Sequence, residues 1–309
     1  MTIQEEIRQL CREKNAVIMA HYYQRPEIQD VADFIGDSLA LAQQAAKTEA
    51  QIIVMCGVHF MAETAKCLSP DRKVLIPDPA AGCSLADSCK AEDLRAWKRQ
   101  HPGYMVISYV NTSAEVKALT DVVVTSSNAL TIVNQLPTNA KLLFGPDQNL
   151  GSYINSLTGR NMELWNGACH VHARFSVEAL MRLKQDHPAA PVLTHPECKQ
   201  SIIQLSDFIG STAALLNYVK THQKKEYIIV TESGVIHEMQ KACPDVTFIP
   251  VPPEMTEGVG CMCNECEYMR MATLEKLRDT LRDEKNEVFV SPDIAAQAVE
   301  AIHKMLAMS

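Results

Sequence analysis

A pattern that occupies residues 21–38 returns without a gap at 109–126 and again at 195–212. A chain that repeats one supersecondary unit three times must place equivalent positions around a common centre, which restricts the folds open to it. The copies align on Asp33, Asp121 and Asp207, which stand 88 and 86 residues apart. Twelve residues before each anchor is a ring-bearing polar residue (His21, Tyr109, His195), and ten before it a second polar one (Tyr23, Asn111, Glu197). Apolar pairs follow the anchor: Phe34-Ile35, Val122-Val123 and Phe208-Ile209. Five residues after it stands a hydroxyl: Ser38, Ser126 or Thr212. Chance accounts for matching apolar positions in any α/β protein, but core packing places no demand on polar residues at three fixed offsets.

The order of elements is the same in each copy. Val17 to Ala20 has the form of a buried strand, Pro26 suits the first turn of a short helix, and Phe34-Ile35 is a second strand. Ser38 then opens a helix, and strands at 52–55 and 74–76 follow with a helix at 59–67 between them. The second copy gives strands at 105–108, 122–124, 142–144 and 162–165, with helices around 113–119 and from Ser126. The third gives strands at 192–194, 208–209, 227–230 and 246–249, with helices around 200–205 and from Thr212. Strand and helix alternate throughout, the signature of parallel sheets with right-handed crossovers. The expected fold is α/β: three α/β/α sandwich domains related by a pseudo-threefold axis, over 1–100, 101–187 and 188–309. A helix at 2–14 precedes the first copy. A charged helix near 272–284, a last strand at 288–290 and a helix opened by Ser291-Pro292-Asp293 follow the third, a tail expected to pack across one repeat.

With 309 residues, 47% hydrophobic and 21% charged, the composition is that of a globular chain and not of a disordered one. No apolar run approaches the roughly 18 residues of a membrane span. The first residues lack a signal peptide's basic and apolar regions, so a cytoplasmic protein is expected. A net charge of −8 without a dense Lys/Arg cluster argues against a nucleic-acid partner. Eleven cysteines without an export signal point to metal, cluster or thiol chemistry and away from a disulfide framework.

In open parallel sheets the site lies beyond the carboxyl ends of the strands. There stand the ring-bearing residues and, where the next helix begins, the hydroxyls. Such a hydroxyl ordinarily caps its own helix. Three equivalent ones, aimed at one axis with free helix N–H groups, make an anion-holding ring that needs few basic side chains. The cysteines follow the same symmetry: Cys83, Cys169 and one of Cys261, Cys263 or Cys266 come after the last strand of each repeat. Three converging thiolates can hold three irons of a four-iron four-sulfur cluster and leave one iron open as a Lewis acid. The competing reading of Cys261-Met-Cys263-Asn-Glu-Cys266 is a local zinc site or a Cys263/Cys266 dithiol. A radical enzyme using S-adenosylmethionine is disfavoured, because its Cys-x3-Cys-x2-Cys spacing is absent. Cys11, Cys56, Cys67, Cys89, Cys198 and Cys243 read as small core residues. His170 and His172 flank Cys169 closely enough to touch substrate or a metal ligand, and His172 is the favoured contact.

Met19-Ala20-His21-Tyr22-Tyr23-Gln24, Ser108-Tyr109-Val110-Asn111, Val124-Thr125-Ser126-Ser127-Asn128-Ala129, His195-Pro196-Glu197-Cys198 and Asp207-Phe208-Ile209-Gly210-Ser211-Thr212 together resemble the quinolinate synthase A family. The likeness runs from about Ala16 to the C-terminal helix. It implies three α/β/α domains around one oxygen-sensitive 4Fe-4S cluster. The implied reaction condenses iminoaspartate with dihydroxyacetone phosphate, releasing phosphate and water to give quinolinate for NAD biosynthesis, with an aspartate-oxidising enzyme as a possible upstream partner. Carried over by position, the cluster ligands fall on Cys83, Cys169 and Cys266, the last chosen because Met269 follows it as in Cys266-Glu-Tyr-Met269. Where some relatives carry Cys-x2-Cys-x2-Cys, this chain has Cys261-x-Cys263-x2-Cys266, which leaves a regulatory disulfide in question. Substrate contacts fall on His21, Ser38, Tyr109, Asn111, Ser126, His195, Glu197 and Thr212. Proton transfers are expected from Tyr23, His21, His195 and Glu197. The rival functions are another cluster-dependent hydroxy-acid dehydratase and a zinc-binding or redox-sensing cysteine module.

Overall fold

Short apolar runs that end in a polar residue can bury both faces of a strand and still present chemistry at its carboxyl end. The computed structural model describes residues 1–254 and 264–309, and in it these runs form three four-stranded sheets, every named strand pair being parallel. The first unit comprises α1 (Ile3–Lys14), β1 (Ala16–His21), α2 (Pro26–Val31), β2 (Phe34–Gly36), α3 (Ser38–Lys47), β3 (Ile52–Cys56), α4 (His59–Leu68), β4 (Lys73–Leu75), α5 (Ser84–Asp87) and α6 (Ala91–Gln100). The second comprises β5 (Tyr104–Tyr109), α7 (Ala114–Lys117), β6 (Val122–Val124), α8 (Ala129–Gln135), β7 (Lys141–Phe144), α9 (Gln148–Thr158), β8 (Glu163–Leu164) and α10 (Val177–Asp186). The third comprises β9 (Val192–Thr194), α11 (Gln200–Ile203), β10 (Phe208–Ile209), α12 (Thr212–His222), β11 (Glu226–Val230), α13 (Val235–Ala242) and β12 (Thr247–Pro250), followed by α14 (Leu274–Asp283) and α15 (Pro292–Met308).

The strand orders are β2-β1-β3-β4, β6-β5-β7-β8 and β10-β9-β11-β12, one topology three times. The anchor aspartates explain part of that identity. In each copy the carboxylate accepts the backbone N–H of a residue in the first strand: Ile18 for Asp33 (2.8 Å), Val106 for Asp121 (2.7 Å) and Val192 for Asp207 (2.8 Å). The aspartate's own N–H returns to the carbonyl of that same residue. One side chain thus fastens the crossover helix to the strand it came from. A second repeated device lies beside it. Ser108 bonds Thr120 and Ser206 bonds Thr194, each at 2.6 Å, whereas the first unit has Ala20 and Ala32 at those places. Both members change together, so no hydroxyl is left without its partner.

Two expectations for the termini need correction. The strand expected at 288–290 is a single antiparallel bridge of Glu287 to Leu75, continued by the Val288 N–H to the Val74 carbonyl. Phe289 points into solvent, and Pro292 starts a helix too soon for a ladder to grow. The tail also covers two units. Helix α14 buries Leu274, Leu277 and Leu281 against Ile7 of α1 and Ile18 of β1, while α15 lies across α4, α7, α8 and β6. One apolar cluster runs through all three units, with Met19, Ile107 and Tyr227 among its members.

The aspartate clamp can be tested singly. Because these carboxylates sit near the surface and water can take their place, Asp121→Ala should lower unfolding free energy by about 1 kcal/mol in a denaturant titration. Asp121→Asn, which keeps an acceptor oxygen, should cost clearly less. Equal losses in the two variants would remove the hydrogen bond as the cause.

Candidate active site

The carboxyl ends of β1, β5 and β9 bring His21, Tyr109 and His195 to one cavity. Tyr23, Asn111 and Glu197 line it, as do Ser38, Ser126 and Thr212. Cys83, Cys169, Cys266 and His172 complete its wall. Every candidate named from the sequence within the described residues therefore faces a common space. Cys261 and Cys263 lie outside the described residues, and with them the local zinc site, the dithiol and the regulatory disulfide.

The hydroxyl-bearing residues are not the helix caps. Asp37 caps α3 through the N–H of Ala40, and Ser211 caps α12 through the N–H of Ala214. Ser38 and Thr212 thus stand one residue inside their helices. The expected helix from Ser126 begins only at Ala129, because the Asn128 side chain accepts the N–H of Thr125 and holds 125–128 as a turn. With capping done by neighbours, all three hydroxyls remain directed at the cavity.

Hydrogen bonds between units bind the site together. The Tyr109 hydroxyl donates to Glu197 Oε1 at 2.5 Å, and His172 Nδ1 lies 2.9 Å from Glu197 Oε2 and 3.3 Å from Cys169 Sγ. The Tyr23 hydroxyl lies 2.7 Å from Thr212 Oγ1 and 2.8 Å from Thr231 Oγ1, and His172 Nε2 lies 2.9 Å from Thr231 Oγ1. The rings of His172 and His195 stack at 4.5 Å. Burial alone would raise the Glu197 carboxyl, but His172, His195 and the Tyr109 hydrogen bond outweigh it and hold Glu197 at about 2. The site therefore contains a buried, ionised carboxylate surrounded by donors.

His21 and His195 are neutral. Burial lowers them to about 4 and about 3, against the opposing pull of Asp37 and Glu197 on His21 and of Glu197 on His195. Their tautomers follow from the backbone: His21 Nδ1 accepts the N–H of Tyr23 at 3.1 Å, and His195 Nδ1 accepts that of Glu197 at 3.4 Å. Each Nε2 consequently carries the hydrogen, and that of His195 meets Ser126 Oγ at 3.2 Å. Burial also raises the phenols of Tyr23 and Tyr109 well above their ordinary value, so both remain protonated. The Asn111 side-chain oxygen is buried and has no partner among the described residues, an acceptor left over in the cavity wall.

Burial pushes Cys83 up to about 12 and Cys266 up to about 11, and raises Cys169 well above the thiol range. Proximity adds to the rise, Cys266 acting on Cys83, and Cys83 and Cys266 on Cys169. Backbone N–H groups two or three residues on oppose it in every case: Ala86 and Leu85 for Cys83, His172 for Cys169, Met269 and Tyr268 for Cys266. Three thiols in one cavity wall, each with N–H donors close by, are a group that could hold a soft metal centre. Cys169, His172 and Glu197 also form a group that could hold a metal ion, with ligand atoms within 4.8 Å of one another.

Two buried carboxylates escaped the sequence reading. Asp147 Oδ2 accepts the N–H of Cys169 at 2.8 Å, and Glu232 Oε1 that of Cys266 at 3.1 Å. Strand registers put them at the same place in two units, with Val58 at that place in the first. Their shared position just beyond β7 and β11 is the signal that could have found them, but the second unit carries one extra residue ahead of β7, which shifts its pairing with β5 by one and breaks the fixed offset. Burial raises Asp147 to about 7 and Glu232 to about 8.

A chain with three parallel α/β units, whose strand ends enclose half-buried thiols, buried imidazoles and one ionised carboxylate, is an enzyme with a metal-capable active site. The family model described as Quinolinate synthetase A protein matches residues 5–307. The quinolinate synthase of Thermosynechococcus vestitus is 54% identical over 303 residues, 98% of this chain and 94% of that protein. That of Microcystis aeruginosa is 53% identical with the same coverage, and that of Chloroherpeton thalassium 53% over 305 residues. The chain belongs to the quinolinate synthase A family. No helix among the described residues is long and apolar enough to cross a membrane.

The opposed shifts make an unusual pH profile. The two histidines, neutral in the fold, contribute stability that is present above about 6.5 and lost as pH falls toward 4 and 3. Asp147 and Glu232, raised to about 7 and about 8, contribute stability present below the ordinary carboxyl range and lost as pH rises through those values. Between pH 6.5 and 5 the pairs oppose each other, and metal-free protein should keep a nearly constant denaturation midpoint. The double variant His21→Gln/His195→Gln should instead grow more stable as pH falls, by about two protons' worth of slope. A variant that tracks the parent would show the histidines to be protonated in the fold.

Proposed function

We propose that this chain condenses iminoaspartate with dihydroxyacetone phosphate to form quinolinate, phosphate and water in NAD biosynthesis. On this reading it is a cytoplasmic enzyme that draws iminoaspartate from an aspartate-oxidising enzyme. The observation that carries it is the meeting, in one cavity, of three thiols with three hydroxyls and the residues at the strand ends. Cys83, Cys169 and Cys266 would hold a 4Fe-4S cluster, each from a different repeat; the donor set fits, being sulfur only, half-buried in the cavity wall and supplied with N–H groups. When bound, such a cluster with one unligated iron supplies a Lewis acid for substrate oxygen.

The chain's own residues do the rest. Ser38, Ser126 and Thr212, with the first N–H groups of α3 and α12, bind the two carboxylates of one substrate and the phosphate of the other. Neutral His21 and His195 present Nε2–H, so they donate to carbonyl or carboxylate oxygen and polarise the carbon that is attacked. Tyr23, held protonated, donates at its hydroxyl as an oxygen leaves in dehydration. Glu197 stays ionised, orients Tyr109 and His172, and stabilises positive charge that develops on the imine nitrogen as the ring closes. The Asn111 amide, with an oxygen unmatched in the protein, fits a substrate hydroxyl or N–H.

Anaerobically purified wild type should carry about four irons and four sulfides per chain. It should also yield quinolinate from the two named substrates. Cys83→Ala, Cys169→Ala and Cys266→Ala should each lose the cluster absorbance and the product. A colourless protein with zinc, no sulfide and no quinolinate would overturn the proposal in favour of a zinc or redox module, while turnover of a hydroxy acid alone would favour a dehydratase. Tyr23→Phe should retain iron and lose turnover by about 10²–10⁴-fold. Full turnover in that variant would remove Tyr23 from the acid–base groups.

A further inference from the structure

On the function proposed above, the cavity receives two substrates that each carry two negative charges, yet no Lys or Arg lines it and His21 and His195 are neutral. The one fully buried basic side chain among the described residues stands just behind the wall: Lys117, the last residue of α7, is 0% exposed. Its Nζ donates to the carbonyl of Thr112, the neighbour in sequence of Asn111 in the wall. It also lies 5.4 Å from the centre of the Phe60 ring, which faces the cavity. An ammonium has three hydrogens to give, and one carbonyl and one ring face replace only part of the water it has lost. Glu63, the acid that acts on it most, is engaged elsewhere, with His59 Nδ1 at 3.6 Å and the Ala114 N–H at 2.9 Å. Burial lowers Lys117 to about 8, against the opposing pull of Glu63, Cys67 and Cys83, so it is charged at neutral pH.

The other repeats show what this charge is not for. Lys117 stands four residues before its anchor, Asp121, and Thr112 nine before it. In the first unit those places hold Gln29 and Gln24, and the Gln29 side-chain amide donates to the Gln24 carbonyl at 2.8 Å. In the third they hold Ile203 and Cys198, both buried in an apolar cluster. A neutral amide thus braces the same carbonyl in one copy, and an alkyl chain fills the place in another. The crossover folds without a cation there, and burying one costs stability. Only a ring and a peptide separate this ammonium from the cavity, so its field crosses a layer with little screening.

We infer that Lys117 is the counter-charge of the anions this cavity binds: its ammonium, held behind Phe60 and Thr112, favours a doubly negative ligand on the Asn111 side of the site without touching it. The inference deepens the function proposed above and rests on it. Lys117→Gln copies the first unit, keeping a donor for the Thr112 carbonyl and removing the charge, and Lys117→Met removes both. In calorimetric titrations of anaerobic holoenzyme, both variants should bind quinolinate, a dianion, at least about tenfold more weakly than wild type. Pyridine-2-carboxylate, a monoanion, should lose only about the square root of that factor, because the energy of a ligand in a fixed field scales with its charge. Iron and sulfide per chain should be unchanged in the glutamine variant, which decides alone if the methionine variant does not fold. Unchanged quinolinate affinity, equal losses for the two ligands, or a loss in the methionine variant only would return Lys117 to a bracing role and overturn the inference. So would a glutamine variant that does not fold or takes up no iron. If wild type made no quinolinate, the proposed function would fall by itself, and inorganic phosphate would then decide: weaker binding to the glutamine variant than to wild type supports the counter-charge, while equal binding, or none to wild type, refutes it.

Discussion

A carboxylate can stay charged inside a protein only if the surroundings replace the water it has given up. Glu197 is almost wholly buried, and none of its principal side-chain partners is a near neighbour in sequence except His195: Tyr109 and His172 come from the second unit, while Glu197 belongs to the third. The same is true of Tyr23, held by Thr212 and Thr231, and of His195, which meets Ser126. The centre is therefore a mutual debt among repeats, each completing polar groups that the others would otherwise bury unpaired. That dependence fixes how the three units dock more firmly than apolar contact could, because hydrophobic surfaces tolerate small rotations and a short hydrogen bond to a buried anion does not.

Symmetry supplies the frame, and departures from it supply the chemistry. The anchor aspartates, the strand orders and the paired hydroxyls or alanines are shared devices whose work is structural. At the strand ends the copies diverge: two histidines and a tyrosine, then a tyrosine, an asparagine and a glutamate. Beyond the third strands of the units, Val58, Asp147 and Glu232 again share a position, and only the two acids hold a cysteine N–H. Under the proposed function, two substrates that differ in charge and shape require such differences.

Most of the frame was legible in the sequence because it depends on fixed spacing. The polar offsets pointed to residues that the fold does assemble around one cavity, and the alternating apolar runs gave the parallel sheets. What spacing could not show was which of two adjacent polar residues does which task. Ser38 and Thr212 both stood where a cap is ordinarily found, yet Asp37 takes that role beside Ser38 and Ser211 takes it beside Thr212. Asn128 delayed a helix expected at Ser126 through a side-chain bond to backbone, a local competition that hydrophobic periodicity does not register. Asp147, Thr231 and Glu232 escaped because their partners lie far away along the chain or behind the cavity wall. The strand expected at 288–290 failed for want of neighbours: Val288-Phe289-Val290 could make a strand only along an edge long enough to receive it, and Pro292 opens a helix first.

The placement of α14 bears on how the protein is made. Leu274, Leu277 and Leu281 close the apolar face between α1 and the first sheet, although more than two hundred residues separate them from it. On a ribosome the first unit emerges early and its outer face stays uncovered until nearly the whole chain has been synthesised. Nascent chains of this protein therefore carry an exposed, sticky amino-terminal domain for most of translation, a natural client for whatever waits at the exit tunnel.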